Sequence, residues 1–307
     1  MAQYEAHPTR LKLGIGITLL AFLLLSVASA LVWSFRDRFP TIQIIFIQNF
    51  VSLLCVAPFA WKRGGLRYLK TEVLPIHFLR DLFGLASYFL FFLAIRYLNL
   101  VDATLLNYTA PFFVPFIWRI WRNERIAKSV WWSIVIGFIG MAMILNPTKQ
   151  IFALGFVYGL FAGLCSAIAF ASLRVLNLKG EPAFRTLFYY FSLGTILSLP
   201  FALSVWVHPW PSELVQTILI GIFTAGGQLL LTIAYQYGTA SHLSPIGYSS
   251  IVYNELISYY LFDQKLGWLS FFGTVLIIFG GTMTYILRKK PKTVLESFEE
   301  KKPPTPL

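Results

Sequence analysis

Long apolar segments constrain the fold of this sequence more than any other feature. The segment from Val73 to Ile95 is one of them, and at ~1.5 Å per helical residue it is long enough to cross the ~30 Å hydrocarbon core of a bilayer. Apolar residues make up 57% of the chain, charged residues only 12%, and the mean hydropathy is +0.68. A soluble domain does not need so apolar a composition, so the sequence predicts an all-α integral membrane protein.

Ten such segments are predicted along the chain. We place them at residues 13–35, 42–60, 73–95, 103–121, 130–145, 152–173, 184–207, 214–235, 243–262 and 268–287. A cleaved signal peptide is the alternative for the first segment, since Arg10 and Lys12 precede an apolar run that contains Ala28-Ser29-Ala30. We favour a membrane span there because the apolar run continues through Trp33.

The distribution of Lys and Arg predicts the orientation, because positively charged loops stay in the cytoplasm. With the N-terminus inside, nineteen Lys and Arg residues fall in inner segments and five in outer ones, while Arg80 lies within a span. Both ends are therefore expected to be cytoplasmic. They are the polar N-terminus, residues 1–12, and a tail rich in Lys, Glu and Pro, residues 288–307, which we expect to be disordered.

The formal net charge of +12 does not indicate a nucleic-acid partner, because the basic residues lie in short loops rather than on one face of a folded domain. Cys55 and Cys165 both lie inside apolar runs, which argues against a disulfide or a metal site built on cysteine. No metal or cofactor is expected. Enzyme signatures such as HExxH, Gly-x-Ser-x-Gly and the P-loop do not occur in the sequence.

An internal repeat divides the chain into two halves, residues 13–147 and 152–287. A shift of 140 positions places Thr104 on Ser244, Glu124 on Gln264 and Gly140 on Gly280. Each half holds five spans, and an odd number means that the second half enters the membrane from the opposite side. Two inverted five-helix repeats are typical of secondary transporters, although duplication alone could also produce a simple bundle.

Several stretches of the first half carry a resemblance to a known family. They are Leu79-Arg80 through Ala94-Ile95-Arg96-Tyr97-Leu98, then Asp102 to Pro111, then Asn123-Glu124-Arg125-Ile126. The chain resembles the EamA-type domain of the drug/metabolite transporter superfamily. The resemblance implies a bacterial-type inner-membrane carrier with a cavity lined by the first, third and fourth helices of each half. Where that family often has a Gly-Glu pair, this chain has Asp263-Gln264.

Polar and aromatic residues inside the spans are the candidates for substrate binding, because polar groups at membrane depth are costly unless they face protein or a cavity. We expect Arg80 either to hold a carboxylate or phosphate in the cavity or to anchor its helix at the inner interface. Gly84 and Tyr88 follow it on the same face. The full candidate set is Arg80, Gly84, Tyr88, Asn107, Pro111, Gln228, Tyr235, Tyr248 and Glu255.

Two carboxylates are candidates for proton coupling. Glu255 lies within an apolar span, where an ionised carboxylate is expensive and a change of protonation can follow the opening of the cavity; the alternative is a structural hydrogen bond to Asn254 or a tyrosine. Asp81 is the second candidate. It points ~100° away from Arg80 round the helix, so the two are not expected to face each other, whereas His77 and Asp81 share a face.

These features predict a secondary active transporter in the inner membrane, a monomer or homodimer. It would move a small polar or amphipathic metabolite, amino-acid-like or a derivative, by alternating access with proton or exchange coupling. The alternatives are a membrane-embedded scaffold or sensor and an integral membrane enzyme. The expected partners are a small-molecule metabolite and the lipid bilayer.

Overall fold

The computed structural model describes residues 8–122, 154–237, 246–247, 249–263 and 267–286, together with residues 132, 135, 136, 139, 140 and 143. Most of the fifth predicted span, residues 130–145, lies outside the described residues. The same holds for residues 1–7 and for the tail at 288–307. Within the part that the structure describes, every regular element is helical, which confirms the predicted fold class.

Ten α-helices are described, and we number them in chain order; a short 3₁₀-helix, Gly65–Arg67, lies between α2 and α3. They are α1 Pro8–Ser34, α2 Thr41–Lys62, α3 Leu74–Tyr97, α4 Leu100–Asn107, α5 Ala110–Arg122, α6 Leu154–Leu178, α7 Ala183–Ser204, α8 Pro211–Tyr237, α9 Ser249–Phe262 and α10 Trp268–Ile286. Six of them, α1, α2, α3, α6, α7 and α8, are long and apolar enough to cross a membrane. These six match predicted spans.

The fourth predicted span, residues 103–121, differs from the prediction because it is two helices rather than one. The helix is interrupted between α4 and α5, at Tyr108 and Thr109. Pro111 has no N–H to donate to the carbonyl of Asn107, so the regular i to i−4 bonding cannot continue through this point. The hydroxyl of Thr109 donates to the carbonyl of Leu106 at 2.7 Å. A broken helix of this kind is tolerated at membrane depth where it is buried in protein.

Glycines on α6 allow this broken helix to approach closely. A Cβ atom added to Gly159 would lie 2.7 Å from the Cβ atom of Leu106, and one added to Gly163 would lie 2.8 Å from the Leu106 carbonyl oxygen. Real Cβ atoms do not come so near a backbone carbonyl. The lack of a side chain at Gly163 is therefore what seats the end of α4 against α6.

The packing of the helices follows the two-fold relation that the repeat predicts. The third helix of the first half, α3, packs along α6, and its repeat counterpart α8 packs along α1. In the same way, α4 packs against α6, and their repeat counterparts α9 and α1 pack against each other. The helices α2 and α7 are counterparts of each other, and they also pack together. This pattern places α3 and α8 between the halves, where their side chains meet residues of both repeats.

Candidate functional site

Arg80 and Asp81 form a buried ion pair on α3. The two residues are 5% and 2% exposed, and Arg80 Nη1 donates to Asp81 Oδ1 at 3.0 Å. The prediction that they do not face each other is wrong. The arginine side chain is long enough to turn round the helix, and a buried charge without a partner costs several kcal/mol. This buried position does not fit the alternative in which Arg80 anchors the helix in interfacial water.

Tyr190 of α7 covers the guanidinium of Arg80. The Cζ atom of Arg80 lies 4.0 Å from the centroid of the tyrosine ring, and Tyr190 is 2% exposed. A cation held over an aromatic face in this way is stabilised by the ring quadrupole. A Cβ atom added to Gly84 would lie 3.0 Å from Tyr190 Cε2, so Gly84 gives the ring room beside α3. The candidate Gly84 therefore shapes the position of Tyr190.

Tyr88 and Gln228 meet at the boundary between the halves. Gln228 Nε2 donates to the hydroxyl of Tyr88 at 2.9 Å, and the two positions are separated by 140 residues, which is the shift of the repeat. They are thus equivalent positions of α3 and α8, and a contact between equivalents lies on the pseudo-two-fold axis. Transporters built from inverted repeats hold their substrate at this interface.

Asn107 belongs to a group of neutral polar side chains at the end of α4. Ser166 Oγ of α6 donates to Asn107 Oδ1 at 3.0 Å, and Ser87 Oγ of α3 lies 2.6 Å from Ser166 Oγ and 3.5 Å from Asn107 Oδ1. The two serines are buried. We use the term central cluster for Arg80, Asp81, Ser87, Tyr88, Asn107, Ser166, Tyr190 and Gln228.

The other predicted site residues lie elsewhere or outside what is described. Glu255 is half-buried on α9, and within the described residues it makes no hydrogen bond. Its neighbour Asn254 donates to Thr104 Oγ1 at 2.8 Å rather than to Glu255. Pro111 and Tyr235 belong to α5 and α8, but their side chains are outside the described residues, as is the whole of Tyr248.

An apolar cavity of about 390 Å³ lies between α3, α5 and α6. Leu79 and Phe83 of α3 line it, and Arg80 lies between these two residues in the sequence. Its other walls are Phe113, Phe116, Ile117, Ile120, Trp121, Leu164 and Ile168. The cavity can accept apolar atoms beside the helix that carries the ion pair.

A first network of polar contacts joins the halves around Glu181, which lies between α6 and α7. Glu181 Oε1 accepts from Thr71 Oγ1 at 2.7 Å, while Oε2 accepts from Arg185 Nη1 at 3.0 Å and lies 3.2 Å from His77 Nε2. Two backbone carbonyls of the loop between α2 and α3 complete this Glu181 network, accepting from Arg185 Nε at 2.6 Å and from the Tyr189 hydroxyl at 2.7 Å. His77 therefore pairs with Glu181 and not with Asp81.

The contacts of Glu181 lower the pKa of its carboxyl group. Burial alone would raise it, but the hydrogen bonds from Thr71, Arg185 and His77, with the charge of Arg185, outweigh burial. A carboxylate with a lowered pKa stabilises the fold above its unfolded pKa, and this contribution is lost as the pH falls through the folded value.

We expect the melting temperature to fall on acidification below about pH 4.5, the ordinary pKa of glutamate. Glu181→Gln should remove that part of the pH dependence, and an unchanged profile would contradict the assignment.

A second network joins the halves around Glu213, at the start of α8. Arg38, between α1 and α2, donates through Nε to Glu213 Oε1 at 3.0 Å and through Nη2 to the carbonyl of His208 at 3.3 Å. Gln43 holds Val207 by two bonds, donating to its carbonyl at 2.7 Å and accepting from its N–H at 2.9 Å. We call this set the Glu213 network.

The two networks lie at opposite ends of the bundle. Gln43, which belongs to the Glu213 network, is near the start of α2, whereas the Glu181 network includes the loop that follows the end of α2. These two ends are ~33 Å apart, because α2 has 22 residues. Exchanging the halves maps the first network onto the second. The Glu181 network joins the loop after α2 to the loop after α6. The Glu213 network joins the counterparts of these loops, which follow α7 and α1. The central cluster lies between them.

Comparisons with known proteins agree with this architecture. The domain of the EamA-like transporter family matches residues 12–146 and again residues 153–286. A protein of known crystal structure shares the fold with a TM-score of 0.64 at 18% identity, over 94% of this chain and 99% of that one.

Relatives with named cargoes include an exporter and an uptake transporter. The pseudopaline exporter of Pseudomonas aeruginosa is 26% identical over 87% of this chain and 94% of its own length. The S-adenosylmethionine uptake transporter of Rickettsia felis is 27% identical over 86% of this chain and 90% of its own length. Two copies of one transporter domain thus cover nearly the whole chain, and the described helices pack as two related halves around a polar centre. The chain belongs to the EamA-like transporter family.

Proposed function

We propose that the chain is a secondary active transporter that moves a small polar or amphipathic metabolite, amino-acid-like or a derivative, by alternating access. The observation that carries the proposal is the pair of networks that tie the two halves together at opposite ends of α2, with the central cluster between them. A carrier needs a site that can be closed on both sides and opened on one side at a time. Inverted repeats provide two equivalent closures, one for each side.

The chemistry of the central cluster supports a cargo with both charged and apolar parts. Arg80 and Asp81 offer one charge of each sign, and Tyr88 and Tyr190 offer aromatic surface beside them. The apolar cavity next to α3 suits a less polar part of the molecule. One relative is named for the uptake of S-adenosylmethionine, which is a derivative of the amino acid methionine. The proposed contacts of the cargo include Arg80, Gly84, Tyr88, Asn107 and Gln228; Pro111, Tyr235, Tyr248 and Glu255 stay candidates.

The relatives with named cargoes are transporters, which favours a role in transport over one in catalysis. A scaffold or sensor is the remaining alternative. We place the chain in the inner membrane with both ends cytoplasmic, on the Lys and Arg distribution, and this puts the Glu181 network on the cytoplasmic side. The proposal allows a monomer or a homodimer.

Transport by the pure protein tests the proposal. Proteoliposomes that contain the full chain and no other protein should take up at least one labelled metabolite faster than empty liposomes, driven by a pH gradient or by unlabelled substrate inside. A scaffold or sensor would not do so. If no member of a broad panel of amino acids, their derivatives and S-adenosylmethionine is taken up or exchanged, the proposed function is wrong.

Glu255 is the proposed site of proton coupling. A carboxylate in this span is expensive when ionised and desolvated, so the protonated or substrate-paired form is the one that crosses between the two states. Glu255→Gln mimics the neutral form, and we expect it to keep exchange of substrate for substrate and to lose accumulation driven by a pH gradient. Glu72→Gln, in an exposed loop, is the matched control and should keep both. Full accumulation by the Glu255 variant would point to Asp81 as the next candidate.

A further inference from the structure

The hydrogen-bonding groups of the Arg80 and Asp81 pair are only partly used. Arginine has five N–H donors, and within the described residues one bond, from Nη1 to Asp81 Oδ1, is the only one that the guanidinium makes. Asp81 accepts from no other described residue, although a carboxylate has about four acceptor positions. Both charges are buried, where polar groups are normally fully bonded. The pair therefore has unused capacity for a ligand of either sign.

We infer that this pair binds the head group of a zwitterionic cargo, with the carboxylate of the cargo on Arg80 and its ammonium group on Asp81. The inference rests on the proposed function and narrows its cargo to molecules with a free α-amino carboxylate. It also gives Asp81 a role as a ligand for the cargo, in addition to that of an internal partner for Arg80.

Charge balance is the reason that a zwitterion fits and a simple ion does not. A cargo with only a carboxylate would place two carboxylates beside the single cation of Arg80 and leave one buried negative charge uncompensated. A cargo with only an ammonium group would leave Arg80 in the same position. A zwitterion replaces one buried ion pair by two, so neither charge of the protein loses its partner. This selection needs no additional residue.

Tyr190 contributes by positioning Arg80. Arg80 Cζ lies over the tyrosine ring, 4.0 Å from the centroid, and within the described residues no hydrogen bond uses the donors Nε and Nη2 at the edge of the guanidinium. These edge donors are the ones that can form two parallel bonds to a carboxylate. Ser87 and Tyr88 lie on the following turns of α3 and present hydroxyl groups toward α6 and α8. The rest of the cargo would extend in that direction.

Binding by matched compounds tests the inference. The purified full chain is melted with each of the twenty protein amino acids and with S-adenosylmethionine. For each amino acid the decarboxylated amine and the N-acetyl derivative are measured as well, and for S-adenosylmethionine its decarboxylated form. We expect at least one zwitterion to raise the melting temperature, while its amine, which lacks the carboxylate, and its N-acetyl form, which lacks the ammonium charge, do not. If no zwitterion binds, or if the amine or N-acetyl form binds equally well, the inference is wrong.

Two variants should relax this selectivity in opposite directions. Asp81→Asn leaves Arg80 without an internal competitor, so the N-acetyl compound should now bind. Arg80→Gln should admit the amine instead. Each variant should bind the zwitterion about 10- to 100-fold more weakly, as expected for lost hydrogen bonds to a charged group. Asp37→Asn, in an exposed ion pair with Arg36, is the control and should keep the selectivity of the unmodified chain.

A gain of binding cannot come from poor folding, so the variants are informative even if they are less stable. Should a variant fail to fold, the comparison of the three compounds on the unmodified chain still decides the matter. The inference and the proposed function can also fail separately. Transport of a cargo without an α-amino carboxylate would contradict the inference alone. Zwitterion-selective binding without uptake or exchange in proteoliposomes would contradict the transport function alone.

Discussion

Arg80→Leu is expected to destabilise the protein by about 3–5 kcal/mol, because it leaves Asp81 buried without its partner. Asp81 is 2% exposed, and its only hydrogen bond within the described residues comes from Arg80. Leucine also lacks the guanidinium group that contacts the ring of Tyr190. Unfolding in a mild detergent, followed by the loss of helical signal with denaturant, would measure the change.

The double variant Arg80→Leu with Asp81→Leu separates structure from function. Replacing both members of a buried ion pair by apolar residues is often neutral or stabilising, so we expect most of the lost stability to return. Transport should not return, since the charges that we propose to contact the cargo are gone. If the double variant were as unstable as the single one, the pair would not be the isolated unit that we describe. If it transported normally, Arg80 and Asp81 would not bind the cargo.

Glu181→Gln and Glu213→Gln are expected to shift the conformational equilibrium in opposite directions. Each substitution removes a charge that contacts the other half at one end of the bundle, since Glu181 accepts from Thr71 and lies 3.2 Å from His77, and Glu213 accepts from Arg38. Hydrogen bonds to a charged group contribute about 1.5–3 kcal/mol each where the group is buried, as Glu181 is, so Glu181→Gln should change the populations about 10- to 100-fold. The contacts of Glu213 are exposed to solvent and screened, so Glu213→Gln should cause a smaller change. Glu181→Gln should favour the state open on its own side, and Glu213→Gln the state open on the other.

Labelling of a single cysteine in the central cluster would measure this shift. Ser166→Cys, in a background without Cys55 and Cys165, would be treated with an impermeant thiol reagent from each side in turn. Single cysteines at Gly65 and Ser212, near the Glu181 and Glu213 networks, identify the two sides, and we expect Gly65 to be cytoplasmic. Glu72→Gln should change neither rate. Equal changes in both variants, or none, would mean that the networks are not gates.

The features that could be predicted from the sequence are those that depend on neighbouring residues. Apolar length predicted the membrane helices, and six of them are found near the expected positions. The shift of 140 positions predicted the repeat, which the two matches to one transporter domain confirm. Arg80 was identified as a candidate site residue because a charged residue inside an apolar segment is unusual wherever that segment lies in the chain. Each of these inferences uses composition or spacing along a single segment.

The sequence did not indicate which polar groups would meet. The angle between successive residues on a helix suggested that Arg80 and Asp81 point apart, but rotation about the side-chain bonds of arginine brings them together. Tyr190 could not be told from the other aromatic residues of its helix, and Ser87 and Ser166 are common residues in membrane spans. Glu181 lies in a loop, where a carboxylate is unremarkable until its partners are known.

The contacts of the proposed site join residues far apart in the chain, and packing of the two halves creates them. Tyr88 reaches Gln228 across 140 positions, and Arg38 reaches Glu213 across 175. Local periodicity predicts the face of a helix on which a residue lies, but it carries no information about the helix that will cover that face. The close approach at Gly163, the interruption before Pro111 and the two-fold relation of the halves determine that choice. Local hydrophobicity was therefore enough to predict the membrane helices, whereas the central cluster and the two networks depend on how the helices of the two halves pack.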